Sequence, residues 1–160
     1  MSAAGWLFAG LLIAGTPPTE LEDQFEKPHR VSSMIGGTPV VVIAGAERKT
    51  AELTRDWLKA IRGSLGKCRV FGLANLDGLP FFVPHGSVRS SVKENVPEVP
   101  VLLDWDNDFH EKLGFTKTFE LRLYSAAGKP LGSASGEPTP SAVSAFNDVL
   151  AKGCKTSTTG

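Results

Sequence analysis

Val40-Val41-Val42-Ile43-Ala44, then Gly45-Ala46-Glu47-Arg48-Lys49-Thr50, then Ala51 through Leu65, is the stretch whose reading decides the fold. Five consecutive apolar residues, mostly β-branched, describe a strand buried on both faces, which calls for parallel neighbours and helices packed against the sheet. After the turn the spacing changes. Leu53, Trp57, Ile61 and Leu65 recur every four residues, with Leu58 and Ala60 widening the stripe, so an amphipathic helix is expected to face the sheet until Gly66 stops it. Arg69-Val70-Phe71-Gly72-Leu73-Ala74 supplies a second strand. Strand, helix and strand within this span make a βαβ unit, for which the right-handed crossover is nearly obligatory.

Working outward, Thr19 to Val31 has mixed polarity around Lys27-Pro28, which suits two short edge strands and a turn. Asn75 to Pro100 is rich in Gly and Pro and is expected to be irregular apart from a short helix near Ser87 to Glu94. Val101-Leu102-Leu103-Asp104 reads as a third buried strand. Asp106 or Asn107 is placed to cap a brief helix that Gly114 ends. Phe119 to Tyr124 alternates, Ala126 to Lys129 turns, and Leu131 to Ser135 returns as a hairpin. Thr139-Pro140 opens a last helix carrying Val143, Phe146, Val149 and Leu150 and stopping before Gly153.

The chain has 160 residues, 41% of them hydrophobic, enough for one domain with a proper core. Lys+Arg and Asp+Glu are equal at 17 each, so no basic surplus exists to meet a nucleic acid or an anionic membrane, and neither is expected as a partner. Trp6 to Ala14 is apolar but too short to span a bilayer, and Thr16-Pro17-Pro18 breaks it. It reads as the core of a signal peptide. No Lys or Arg precedes it, and an extra buried helix is the alternative. The expected organisation is therefore residues 1–18 as signal or apolar segment, 19–153 as the domain and 154–160 as a polar tail. Export makes the location periplasmic or secreted, with cytoplasm as the alternative. Two cysteines, Cys68 and Cys154, favour a disulfide in an exported protein and buried thiols in a cytosolic one.

The element order, with Gly37-Thr38-Pro39-Val40-Val41-Val42, Val101-Leu102-Leu103-Asp104, Leu113-Gly114-Phe115 and Leu123-Tyr124-Ser125-Ala126-Ala127-Gly128-Lys129, resembles thioredoxin-like proteins of the peroxiredoxin and TlpA type. Val88-Arg89-Ser90-Ser91-Val92 and a turn without cysteine resemble, within that superfamily, the YtfJ-like periplasmic proteins; the chain reads as a cysteine-less member. The likeness implies an α/β class: a central mixed sheet of four to six strands, helices on both faces and an N-terminal β-hairpin. It also implies that Gly45 to Thr50 is the turn that elsewhere carries a reactive cysteine. In that topology Cys68 and Cys154 both lie at the opposite end of the sheet, where a bridge would tie the C-terminus to the core.

A thiol oxidoreductase needs a thiolate at the helix N-terminus, where N–H groups and the macrodipole lower its pKa. Glu47 to Ala51 offer none. The proline that precedes the corresponding strand in thioredoxins is also missing, with Thr116, Lys117 and Thr118 in its place. Redox chemistry at the turn is therefore not expected, and no cofactor is implied.

Other candidates divide between binding and structure. Arg48 and Lys49, with Glu47 and Thr50, open a helix whose N–H groups can hold a carboxylate or phosphate; a solvated first turn is the plainer reading. Phe81, Phe82 and His85 lie in Leu79-Pro80-Phe81-Phe82-Val83-Pro84-His85-Gly86 on the same rim. The paired rings read first as a plug over the sheet end and otherwise as a partner contact. Asp104, Asp106 and Asp108 begin like a calcium loop, but Phe109 and Phe115 stand where glycine and glutamate are required, so capping is preferred. His29, His85 and His110 are not at metal-ligand spacing. The functional expectation is a noncatalytic domain that binds an unknown protein partner or small anionic ligand. Its alternatives are a peroxiredoxin-like antioxidant using a relocated cysteine and a structural subunit of an envelope assembly.

Overall fold

A computed structural model describes residues 19–47 and 49–155. The expected signal segment, Arg48 and most of the polar tail lie outside the described residues. The chain runs β1 (Glu20–Glu22), β2 (Pro28–Arg30), β3 (Val40–Gly45), α1 (Thr50–Ile61), β4 (Arg69–Asn75), α2 (His85–Asn95), β5 (Val101–Asp104), α3 (Asp108–Leu113), β6 (Phe119–Tyr124), β7 (Pro130–Ser135) and α4 (Pro140–Gly153).

The central sheet has the order β5-β4-β3-β6-β7. β3 pairs in parallel with β4, and β4 with β5, while β3–β6 and β6–β7 are antiparallel. The mixed sheet, the helices and the separate N-terminal two-stranded sheet are the α/β architecture that the sequence implied. In register, Gly45 sits beside Ala74 and Phe119, and Ala74 beside Leu103, so the C-terminal ends of the parallel strands share one rim. Val40 pairs with Arg69 at the other end, next to Cys68.

β3 is buried along its whole length because both sheet faces are covered. On one face Val41 and Ile43 pack with Trp57 and Ile61 of α1 and with Phe146 and Leu150 of α4. On the other, Val40, Val42 and Ala44 pack with Leu21, Met34 and Phe109. Trp57 meets the Phe146 ring edge-on and donates its indole N–H to the Gly136 carbonyl at 2.8 Å.

Three local expectations are corrected. The α-helix ends at Ile61 and tightens into a 3-10 turn over Arg62–Ser64, short of Leu65, and Ala60 faces solvent, outside the apolar stripe. The cap of α3 comes from neither Asp106 nor Asn107. Asn107 occupies the position with a left-handed backbone but accepts from the Asn75 amide instead, while the Asp104 carboxylate reaches forward to accept from the N–H groups of Phe109 and His110. Finally, α4 continues through Gly153.

The N-terminal hairpin clasps the β5 edge. Asp23 bridges Leu102, and buried Gln24 donates its amide to the carbonyls of Val96 and Val99 and accepts from Val101 N–H. An edge strand is thereby covered rather than left to pair with another chain. Asp23 itself accepts from His29 at 2.7 Å and from the N–H groups of Phe25 and Lys27. Burial pushes its carboxyl up, but these hydrogen bonds and the His29 ring outweigh that and hold it below the ordinary carboxylate range.

Candidate functional site

The strand-to-helix turn closes tightly. Ala46 N–H donates to the Thr118 carbonyl at 2.9 Å, Glu47 N–H to the Thr50 hydroxyl at 3.1 Å, and Thr50 N–H back to the Glu47 carbonyl. A Cβ at Gly45 would run into the Thr50 side chain, which explains a glycine at the last position of β3. The Thr54 hydroxyl donates to the Thr50 carbonyl. Thr50 is thus occupied in holding the turn, and Thr118 occupies the segment before β6.

Beneath this turn lies a groove of about 310 Å³ between α1, the ends of β3 and β4, and α2. Its floor is apolar, built from Ala74, Leu76, Val92 and Val96, while Glu47, Thr50, Asn75, Ser87 and Ser91 sit on it as polar members. Lys49 does not join it. It lines a different hollow, together with Glu52, Asp56 and Glu137.

Phe81 and Phe82 are not a plug. Val83 N–H donates to the Pro80 carbonyl, placing the two phenylalanines at the central positions of a tight turn, and they are 99% and 72% exposed. Central turn residues project away from the chain that closes behind them. The two rings meet edge-on, 5.8 Å apart. The loop borders the groove at both its feet, through Leu79 before the tip and Ser87 and Val88 after it. His85 begins α2, and its ring stacks on Trp105 at 3.7 Å. It belongs to the same rim but does not line the groove.

The remaining histidines have structural partners, His29 with Asp23 and buried His110 with Asp104. Asp104 is engaged in capping α3.

At the opposite end, the cysteine-less description is corrected: it holds for the turn and not for the chain. Cys68 and Cys154 form a disulfide, with Cα atoms 5.2 Å apart. Cys154 is 3% exposed, and its carbonyl accepts from Lys67 N–H. Gly66 has φ +50°, and a Cβ there would strike the Cys154 carbonyl, so this crossing requires glycine.

No protein-family model and no curated protein matches the chain. Solved structures do. A secreted Mycobacterium tuberculosis disulfide oxidoreductase homologous to E. coli DsbE is 12% identical with TM-score 0.60, covering 83% of this chain and 94% of its own. The pneumococcal exposed lipoprotein thioredoxin Etrx1 from Streptococcus pneumoniae is 17% identical with TM-score 0.60, covering 81% and 96%. A putative thiol:disulfide interchange protein DsbE from Chlorobium tepidum is 14% identical with TM-score 0.62, covering 87% and 94%. Sheet order, crossover and these neighbours together identify the architecture: the chain has a thioredoxin-like fold.

Proposed function

We propose that this chain is a redox-inactive, exported thioredoxin-like domain that binds the apolar side chains of a partner protein at the Gly45 rim. The observation that carries the reading is the groove itself: an apolar cleft lies under the turn, where the sequence has no thiol, beside an exposed pair of phenylalanines. Burying a phenylalanine is worth about 1.5 to 3 kcal/mol relative to leaving it in water. A turn that holds two of them outside, bracketed by Pro80 and Pro84, keeps that free energy in reserve for a partner and loses little backbone freedom on binding. Export is supported by the disulfide and by the secreted and surface-exposed character named for two of the neighbours.

The oxidoreductase activity named for those neighbours is not carried over. Exchange requires a sulfur that a partner thiolate or disulfide can reach, and the Cys68–Cys154 bridge lies at the far end of the sheet from the rim with Cys154 buried. An anionic ligand finds less support than an apolar one, since Lys49 lies outside the groove and the groove's floor is apolar. The test is a disulfide-exchange assay with insulin and dithiothreitol, together with a peroxide-consumption assay. Rates at the uncatalysed level are expected for the wild type. Turnover that disappears in Cys68→Ala or Cys154→Ala would establish the antioxidant or oxidoreductase alternative instead.

A further inference from the structure

We propose that the chain carries a second site, a hollow at the N-terminal hairpin that binds a free α-amino acid with an apolar side chain. It lies on the sheet face opposite α1, and the inference does not depend on the reading of the rim.

The hollow has a volume of about 440 Å³, inside the range of roughly 300 to 1,000 Å³ in which small-molecule sites occur. Its floor is Val31, in the 3-10 turn after β2, and Phe109 of α3. Both are buried in the core with Val40, Val42 and Ala44, so the floor is apolar and held in place by the sheet. Glu20 of β1, Arg30 of β2, and Asp108 and Lys112 of α3 line the hollow as well.

These four charges form two pairs that have not closed on themselves. Glu20 faces Arg30 across the β1–β2 ladder, and Asp108 stands one helical turn before Lys112. Opposite charges at facing strand positions, or four residues apart on a helix, ordinarily attract. None of the four side chains, however, makes an ion pair or a hydrogen bond with a described residue. A simple anion or a simple cation would satisfy only half of this set. A ligand that carries both signs on one carbon satisfies all of it: its carboxylate meets Arg30 and Lys112, and its ammonium meets Glu20 and Asp108. The planar guanidinium of arginine is suited to both oxygens of a carboxylate at once. The remaining substituent of the α-carbon then lies on Val31 and Phe109.

NMR titration of the full chain with L-leucine, L-valine and L-phenylalanine tests the proposal, with two truncated probes beside them: 4-methylpentanoate, which is leucine without its ammonium, and 3-methylbutylamine, which is leucine without its carboxylate. Saturable shifts of the Val31 methyl and Phe109 amide resonances are expected with at least one amino acid, with Val88 and Val92 unmoved. Each truncated probe should bind about 10-fold more weakly than leucine or worse, the scale of losing charge-assisted hydrogen bonds. Arg30→Gln and Glu20→Gln change exposed positions. Arg30→Gln should weaken the amino acid by a similar factor while leaving 3-methylbutylamine unaffected, and Glu20→Gln should weaken it while leaving 4-methylpentanoate unaffected. Absence of saturable binding by all three amino acids overturns the proposal, as do shifts at Val88 and Val92 in place of Val31. A truncated probe that binds as tightly as leucine also overturns it, because the site would then read one charge only, and so does an amino-acid affinity that survives both substitutions.

Discussion

The two ends of the central sheet have been built to opposite specifications. At the Cys68 end, a covalent bridge, a buried cysteine and a glycine crossing fasten the last helix to the first residues of β4. At the Gly45 end, the strands open into an apolar groove with two phenylalanines outside it. One end is closed upon itself and the other has apolar surface unspent. Under the proposed function, this difference separates two jobs: the disulfide fastens the fold, and the rim is left for contact.

The largest expected effect comes from the core that both ends share. Trp57→Ala removes a fully buried ring, its edge-on contact with Phe146 and its hydrogen bond to Gly136. It should cost about 3 to 5 kcal/mol in urea unfolding. Next comes the bridge. Cys68→Ala/Cys154→Ala opens a loop with a sequence separation of 86, and a loss of about 2 to 5 kcal/mol is expected by the same measurement, with the groove titration unchanged. If losing the bridge abolished binding at the Gly45 rim, the division between the ends would break.

A smaller effect belongs to the hairpin clasp. Asp23→Asn weakens acceptance from His29 and two N–H groups and should cost about 1 to 3 kcal/mol near neutral pH. The folded Asp23 pKa lies below its unfolded value of about 3.9, so its stabilisation is present above that pH and is lost as pH falls through the folded pKa. The gap between wild type and Asp23→Asn should therefore narrow as unfolding is followed below about pH 4, and a constant gap would contradict the pairing. Smallest of all is Phe81→Ala/Phe82→Ala. Solvent-exposed turn positions should move the unfolding free energy by less than about 0.5 kcal/mol each.

Elements set by repeating side-chain patterns were legible in the sequence. The Val40 run, the Leu53-Trp57-Ile61 stripe and the Thr139-Pro140 start all act through local periodicity or capping, and each lies where it was expected. The Cys68–Cys154 pairing was legible once topology put both residues at one end. What escaped depends on single polar groups reaching across the chain. Gln24 bonds to Val96, Val99 and Val101, more than 70 residues away, and Asp104 caps a helix whose nominal cap residue looks elsewhere. The groove escaped for a related reason: α2, His85–Asn95, is mostly polar, and Val88 and Val92 gain meaning only when α1 lies opposite them. The Phe81–Phe82 turn misled in the other direction, because hydrophobicity alone argues for burial while the Pro80–Val83 hydrogen bond turns both rings outward.

The measurement that tests the central claim most directly is an NMR titration of the full chain with N-acetyl-Phe-Phe-amide, read simultaneously at both ends of the sheet. The predicted result is saturable shifts at Gly45, Ala74, Leu76, Val88 and Val92, with Gly66, Cys68 and Cys154 unmoved. Shifts confined to the disulfide end, or none at the groove at millimolar dipeptide, would contradict it.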